Sequence, residues 1–158
     1  MHNFDFVKPS SVADAVRALS AEGAQALSGG QTLLPTMKQR LAAPAVLVSL
    51  TGIADTKGVS LNSGALSVGG ATTHAVVAQE ARKHYPALAD LAGGIGDPAV
   101  RSRGTIGGSL ANNDPSACYP AAVLASGATV ITDRRRIAAD DFFQGMFATA
   151  LHDGEIIT

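Results

Sequence analysis

The 158-residue chain has one cysteine, Cys118, and no excess of charge of either sign. A single thiol cannot form an internal disulfide, and by itself it cannot hold an iron–sulfur cluster or a thiolate zinc site. Twelve basic and thirteen acidic residues give a net charge of −1, which excludes the basic footprint of a nucleic-acid-binding protein. No apolar run approaches the roughly 20 residues of a membrane span, and the N-terminus has no basic and apolar leader. We therefore expect a cytoplasmic protein without nucleic-acid partners or membrane spans.

Several functional motifs are also missing. The four histidines have no ligand-like spacing among themselves or with carboxylates, so we assign no metal site. No Gly-Lys-Ser/Thr follows a glycine loop, and no Gly-x-Gly-x-x-Gly is found where a Rossmann turn would need it. The common nucleotide-binding folds are thus disfavoured, and we assign no catalytic acid, base or nucleophile.

Glycine, in contrast, is abundant, with 17 residues. Two glycine loops follow apolar stretches and carry hydroxyl or amide side chains. Because glycine lets main-chain N–H groups approach an anion closely, two such loops together predict a diphosphate site. Each loop alone is weak evidence, since a Gly-Gly pair is more often a turn or a helix cap. The first glycine loop comprises Ser28, Gly29, Gly30, Gln31 and Thr32, and the second comprises Thr105, Ile106, Gly107, Gly108 and Ser109.

The hydrophobic pattern predicts two lobes. Residues 1–55 read as a small α/β lobe with helices near 11–21 and 32–41 and strands at 24–27 and 45–50, which we expect to run parallel. Residues 56–158 read as a mixed or antiparallel α+β lobe, with a hairpin around 62–64, helices near 85–94 and 119–125, and a strand at 128–132. Thr72 or Thr73 is expected to cap a further helix. The segment 155–158 looks like the start of a strand, which suggests a fragment of a longer protein.

Four segments resemble one family in order and spacing. They are SGGQTLLPTMKQRLAAPAVLVSL (28–50), GGATTHAVV (69–77), RSRGTIGGSLANNDPSACYPAAVLASGATV (101–130) and DDFFQGMFATALHDGEII (140–157). The chain resembles the flavoprotein, or medium, subunit of the xanthine dehydrogenase and carbon monoxide dehydrogenase family of molybdenum hydroxylases. The resemblance implies an α+β fold, the two-lobed FAD-binding domain of the PCMH (vanillyl-alcohol-oxidase-like) type, with the family's C-terminal domain absent.

The resemblance also implies the site. In the family the two loops clasp the FAD diphosphate. Main-chain N–H groups of Gly29, Gly30, Gly107 and Gly108 would then bind phosphate oxygens, and Ser28, Gln31, Thr32, Thr105 and Ser109 would supply side-chain donors. Asp114 matches a polar position beside the flavin, where it would accept from ribityl or main-chain donors. The alternative is an Asx turn before Pro115.

Several other positions keep two interpretations. Cys118 stands where several family members have aspartate; a buried small hydrophobe is favoured over a redox-active thiol. Ile95 either packs against the flavin ring or belongs to the core, which is favoured. Arg101 and Arg103 face an FAD phosphate, a partner subunit or solvent. The three arginines at 134–136 are expected to form a solvated hairpin tip rather than an anion site.

The implied function is that of an FAD-binding electron-transfer subunit, which makes the chain part of an enzyme. Molybdopterin would belong to a large partner subunit and 2Fe-2S clusters to a small one, in a heterotrimer or its dimer. The family members continue past Thr158, so we expect the 158-residue chain alone to bind flavin weakly and to retain little or none of it on purification. Two alternatives remain: a non-enzymatic truncated remnant or interaction module, and a stand-alone FAD-dependent oxidoreductase.

Overall fold

The first lobe is a three-stranded parallel sheet with two helices. A computed structural model of the chain describes residues 1–158. The strand order is β1-β3-β2, and β3 lies centrally because its Leu47 and Val48 are the apolar residues that both neighbours cover. The parallel pairing predicted from the sequence is confirmed. The elements are β1 (Asp5–Val7), α1 (Val12–Leu19), β2 (Ala24–Leu27), α2 (Leu33–Lys38) and β3 (Val46–Ser49).

The two helices of this lobe follow from local sequence signals. Ser11 caps α1, since its Oγ accepts from the Asp14 N–H at 3.1 Å and donates to the Asp14 carboxylate at 2.8 Å. Pro35 is accommodated in the first turn of α2. That helix ends three residues before the predicted Leu41, because Arg40 adopts a left-handed conformation with φ of 61°.

The second lobe combines three antiparallel hairpins with a group of helices. Its first hairpin turns at Ser63 and Gly64, which have φ values of 51° and 83°, as a type I′ turn requires. Thr73, one of the two predicted caps, accepts from the Val76 N–H at 3.4 Å. The elements are β4 (Val59–Asn62), β5 (Ala65–Val68), α3 (His74–Glu80), α4 (Pro86–Gly93), α5 (Pro98–Arg101), α6 (Ile106–Asn112), α7 (Cys118–Ala125), β6 (Thr129–Ile131), β7 (Arg136–Ala138), α8 (Ala139–Phe142), β8 (Phe143–Gly145) and β9 (Ala148–Thr149).

Each lobe has its own apolar cluster. The larger cluster, in the second lobe, contains 13 buried residues, including the fully buried Tyr119 and Phe142. The smaller cluster, of five buried residues, lies under the parallel sheet and includes Ile156 from the far end of the chain. None of the helices combines the length and the apolar character needed to cross a membrane.

The predicted strand at 155–158 is reduced to a single antiparallel bridge between Thr132 and Ile157. Main-chain bonds from Asp133 N to Ile156 O and from Thr158 N to Ile131 O, each 3.0 Å, continue the pairing on both sides. The chain end is therefore held against β6, and it crosses from there to the first lobe.

Candidate functional site

A cavity of about 610 Å³ lies between the lobes and is lined by both glycine loops. Ten of the eleven residues predicted for the site line it. The exception is Ile106, which does not line the cavity: the residue is 7% exposed and packs in the core of the second lobe. An apolar residue in the first turn of α6 turns toward the packed helices, while its neighbours Gly107 and Gly108 line the cavity.

Two of the glycines are required by packing between main-chain segments. A Cβ added to Gly29 would lie 2.3 Å from the Arg103 carbonyl oxygen, and one added to Gly107 would lie 2.6 Å from the Gly70 carbonyl oxygen. Gly29 thus brings the first loop against the chain that leads into the second loop. Gly107 brings the start of α6 against the segment after β5.

The first loop carries main-chain donors without protein acceptors. The five consecutive N–H groups from Gly29 to Leu33 make no main-chain hydrogen bond and donate to no side chain. Gly30 adopts φ of 71°, and a left-handed residue within a loop can turn successive N–H groups toward one side, as in anion-binding nests. The loop therefore offers a run of unpaired donors at the cavity.

The second loop differs, because its N–H groups are already paired. Gly107 N donates to Gly70 O at 2.8 Å, and Gly108 N donates to Thr105 Oγ1 at 3.2 Å. The expectation that these two N–H groups bind phosphate directly is therefore corrected: their protons are engaged within the protein. Gly107 and Gly108 still line the cavity.

One side-chain hydrogen bond joins the two loops. Thr105 Oγ1 donates to Ser28 Oγ at 2.8 Å, across 77 positions of sequence. Thr105 is 3% exposed, whereas Ser28 is half-buried and reaches the cavity. The hydroxyl of Thr105 thus acts mainly within the protein, and that of Ser28 lies at the surface of the cavity.

Two predicted donors or acceptors are engaged in their own turns. The Gln31 amide donates to the Gly29 carbonyl at 3.1 Å. Asp114 accepts from the Ser116 hydroxyl at 2.7 Å and from the Ser116 N–H at 2.9 Å. These bonds hold the pKa of the Asp114 carboxyl below its usual value. The geometry is that of the Asx turn considered as the alternative, and Asp114 nevertheless lines the cavity.

His74 was missed by the sequence interpretation. It lines the cavity while being 5% exposed, and burial lowers its pKa from 6.5 to about 4. Its ring lies 5.3 Å from that of Tyr119, whose pKa is raised by burial and by the nearby Cys118 thiol. His74 Nδ1 and the Tyr119 hydroxyl are both buried without hydrogen-bond partners. No spacing signal in the sequence connects these two residues.

Glu155 was also missed, and it explains one of the three arginines. The residue lines the cavity at 6% exposure, and its carboxylate, in a side chain that is 0% exposed, binds the Arg135 guanidinium at 2.8 and 2.9 Å. It also accepts from the Thr132 hydroxyl at 2.6 Å and from the His152 N–H at 2.9 Å. The bonds from Arg135 lower the pKa of Glu155 to about 2, against the opposing effect of burial. The prediction that the three arginines are solvated at a hairpin tip is therefore wrong for Arg135, which is paired with Glu155, while Arg134 and Arg136 are exposed.

The remaining positions lie outside the cavity. Cys118 is exposed, so the expected burial as a small hydrophobe is wrong. Ile95 packs against the core of the second lobe, as favoured from the sequence. Arg101 donates to the carbonyls of Ile95 and Gly96 at 3.0 and 2.7 Å, and Arg103 is exposed. No lysine or arginine lines the cavity, so any anion there would be held by neutral donors.

Comparisons with known proteins agree with this architecture. The family model described as the FAD binding domain in molybdopterin dehydrogenase matches residues 2–158. The carbon monoxide dehydrogenase medium chain of Afipia carboxidovorans is 38% identical over 164 residues, covering 99% of this chain and 57% of its own length. The nicotine 6-hydroxylase medium subunit of Paenarthrobacter nicotinovorans is 36% identical, covering 97% of this chain and 56% of its own.

Solved structures give the same result for the fold. Carbon monoxide dehydrogenase from Hydrogenophaga pseudoflava superposes with a TM-score of 0.96 at 34% identity, covering 99% of this chain and 57% of that one. Quinoline 2-oxidoreductase from Pseudomonas putida 86 gives 0.95 at 33% identity, with the same coverage of 99% and 57%. The chain thus spans just over half the length of these relatives, and the α+β FAD-binding fold of the PCMH type is confirmed.

Proposed function

The chain belongs to the family of FAD binding domains in molybdopterin dehydrogenases, and from this membership we propose that it holds FAD between its two lobes as the flavoprotein component of a multi-subunit oxidoreductase. When bound, FAD supplies the redox chemistry. In the proposed assembly, electrons from iron–sulfur clusters of a small subunit pass through FAD to an external acceptor. A large molybdopterin-binding subunit carries the substrate site, and the complex is a heterotrimer or its dimer.

The relatives support a role that does not depend on substrate. The medium chains of enzymes named for carbon monoxide and for nicotine share this region at 38% and 36% identity. These two molecules have little chemistry in common. A region retained in both is therefore expected to handle the cofactor, while substrate selection lies elsewhere in the complex.

The donor set fits the diphosphate of FAD. The observation that supports the FAD site most strongly is the run of five unpaired N–H groups from Gly29 to Leu33 at the interlobe cavity. A volume of about 610 Å³ lies within the usual range of cofactor pockets, roughly 300–1,000 Å³. Ser109 and Thr32 add hydroxyls at the same cavity. Hydrogen bonds from main-chain N–H groups to an anion are strong enough to hold it without a cation.

Titration with flavins and their parts tests this proposal. FAD, ADP, FMN and riboflavin are added to the 158-residue chain up to millimolar concentration, and binding is followed by flavin fluorescence and by amide chemical shifts. We expect FAD and ADP to shift the amides of residues 29–33, and riboflavin, which lacks phosphate, to leave them unchanged. No binding of FAD would contradict the proposal and favour the remnant alternative.

A matched pair of glycine variants makes the titration specific. Gly30 and Gly64 both adopt positive φ, 71° and 83°, so replacement by alanine costs each about 1 kcal/mol of folding free energy from backbone strain. A Cβ at Gly30 would in addition press on the Leu34 side chain at 2.9 Å, whereas one at Gly64 would meet no atom within 4 Å, so the stability of both variants is measured beside their affinity. Only Gly30 lines the cavity. We expect Gly30→Ala to weaken FAD binding about tenfold or more, because alanine disfavours the left-handed conformation that orients the N–H groups of the loop, and Gly64→Ala to leave it within twofold. Equal affinities for the two variants would refute the role of the first loop.

A further inference from the structure

The hydroxyl groups of Thr105 and Ser28 form a directed chain between the two glycine loops. Gly108 N–H donates to Thr105 Oγ1 at 3.2 Å, and Thr105 Oγ1 lies 2.8 Å from Ser28 Oγ. An N–H group can only donate, so the first bond uses Thr105 as an acceptor. The direction of the bond between Thr105 and Ser28 decides which way the Ser28 hydroxyl proton points.

Burial fixes that direction. Thr105 is 3% exposed, and its hydroxyl makes no hydrogen bond other than those with Ser28 and Gly108. If Ser28 donated to Thr105, the Thr105 proton would be buried without a partner, which costs about 1–3 kcal/mol. If Thr105 donates, its hydroxyl is satisfied both as a donor and as an acceptor. The Ser28 proton is then the one left over, at a half-buried residue that lines the cavity.

We propose that Thr105 is a positioning residue, which orients the Ser28 hydroxyl as a donor to the ligand's diphosphate. The proposal rests on the proposed function and gives the second loop an indirect role in it. Because Ser28 already accepts from Thr105, its own proton turns away from Thr105 and toward the cavity. Chains of this kind also polarise their terminal donor. The ligand class is an inorganic or organic diphosphate, and Ser28 adds a side-chain donor beside the unpaired N–H groups of the first loop.

The chain itself offers a matched control. Thr73 caps α3 as Thr105 caps α6: each hydroxyl accepts from the N–H three residues later, at 3.4 and 3.2 Å. Both helices have seven residues. Thr73→Val and Thr105→Val therefore remove equivalent caps, but Thr73 does not line the cavity. Thr105→Ser retains the hydroxyl and serves as the conservative rescue.

The experiment measures binding of FAD and of inorganic pyrophosphate to the full chain, with riboflavin as the probe without a diphosphate. We expect Thr105→Val to weaken FAD and pyrophosphate about three- to tenfold and Ser28→Ala about tenfold. Thr105→Ser and Thr73→Val should stay within twofold of the parent, and no variant should change the response to riboflavin. In the double variant, Thr105→Val should add nothing to the loss from Ser28→Ala.

The outcomes separate the two proposals. Absence of FAD and pyrophosphate binding by the parent chain would overturn both. If the parent binds FAD and the Thr105→Val and Thr73→Val variants have equal affinities, the positioning role of Thr105 alone is overturned. Additive losses of affinity in the Ser28→Ala, Thr105→Val double variant would overturn it as well. If Thr105→Val does not fold, Ser28→Ala still decides: FAD affinity equal to that of the parent would overturn the proposal.

Discussion

At the residue scale, His74 is a buried base whose environment disfavours its charged form. Burial lowers its pKa from 6.5 to about 4, so the folded chain binds a proton less readily than the unfolded chain. The stabilisation is complete above pH 6.5 and is lost as the pH falls from 6.5 to about 4. The largest loss from this one group is about 3 kcal/mol.

The prediction is tested by urea unfolding at pH 7.5, 5.5 and 4.5. In His74→Gln, which does not titrate, the fall in the free energy of unfolding across this range should be smaller than in the parent. The comparison concerns the slope with pH, so a constant cost of the substitution does not affect it. Asp114 and Glu155, the other titratable groups at the cavity, have pKa values lowered by their hydrogen bonds, and both are present in parent and variant alike. Identical slopes would show that His74 has the same pKa in the folded and the unfolded chain, which would overturn the prediction.

Sequence reasoning at single positions succeeded where the cause was local. The helix cap at Ser11 and the turn at Gly64 depend on neighbours within three residues, and both were predictable. The structure gives a reason for glycine at positions 29 and 107 that the sequence did not predict, because the carbonyls that exclude a Cβ belong to Arg103 and Gly70. Such contacts depend on how the lobes pack, and a local motif carries no information about that.

At the element scale, the Arg135–Glu155 ion pair connects the β6–β7 hairpin to the last segment of the chain. Arg135 also donates to the Ala150 carbonyl, and Glu155 accepts from His152 N at 2.9 Å. The turn between Ala150 and His152 carries Leu151, which lines the cavity. The pair thus holds one wall of the site in place. It was unpredictable, because an arginine run is normally solvated and nothing marks its partner 20 positions later.

Removal of the buried partner should be costly. Glu155→Gln leaves the Arg135 guanidinium without its counter-charge. We expect a loss of about 2–3 kcal/mol, since the Arg135 side chain is 37% exposed and water compensates part of the lost interaction. Asp90→Asn is the control, because it breaks a surface ion pair in which the Arg82 side chain is 58% and the Asp90 side chain 67% exposed. The cost of this substitution should stay below about 1 kcal/mol.

The measurement is denaturant unfolding of both variants at pH 7. A pH series adds a second check: stability from Glu155 is present above about pH 4.5 and is lost as the pH falls toward 2, because its pKa is lowered in the folded chain. Glu155→Gln should remove that part of the acid sensitivity. Equal costs for Glu155→Gln and Asp90→Asn would mean that the pair contributes no more than a surface contact.

At the scale of the whole molecule, the C-terminal segment of the chain connects the two lobes. The sequence predicted their order and most of their elements, but not that Ile156 crosses from the second lobe to the core of the first. There it belongs to the same cluster as Val48 of β3 and Ile53. Because Ile156 and its neighbours also line the cavity, the same segment contributes to the site and to the stability of the sheet.

The last prediction concerns this crossing. Ile156 is 3% exposed, whereas Ile131 in β6 is 38% exposed, so the two isoleucines form a matched pair for truncation. Ile156→Ala should lower the free energy of unfolding by about 2–4 kcal/mol, and Ile131→Ala by less than about 1.5 kcal/mol. Hydrogen exchange locates the effect: the amides of Leu47 and Val48, more than 100 positions away in the chain, should exchange faster in Ile156→Ala than in Ile131→Ala. If only the amides around 130–138 responded, Ile156 would stabilise its own hairpin contacts and the lobes would unfold independently. Faster exchange in β3 would instead mean that the sheet carrying the first glycine loop depends on the last residues of the chain.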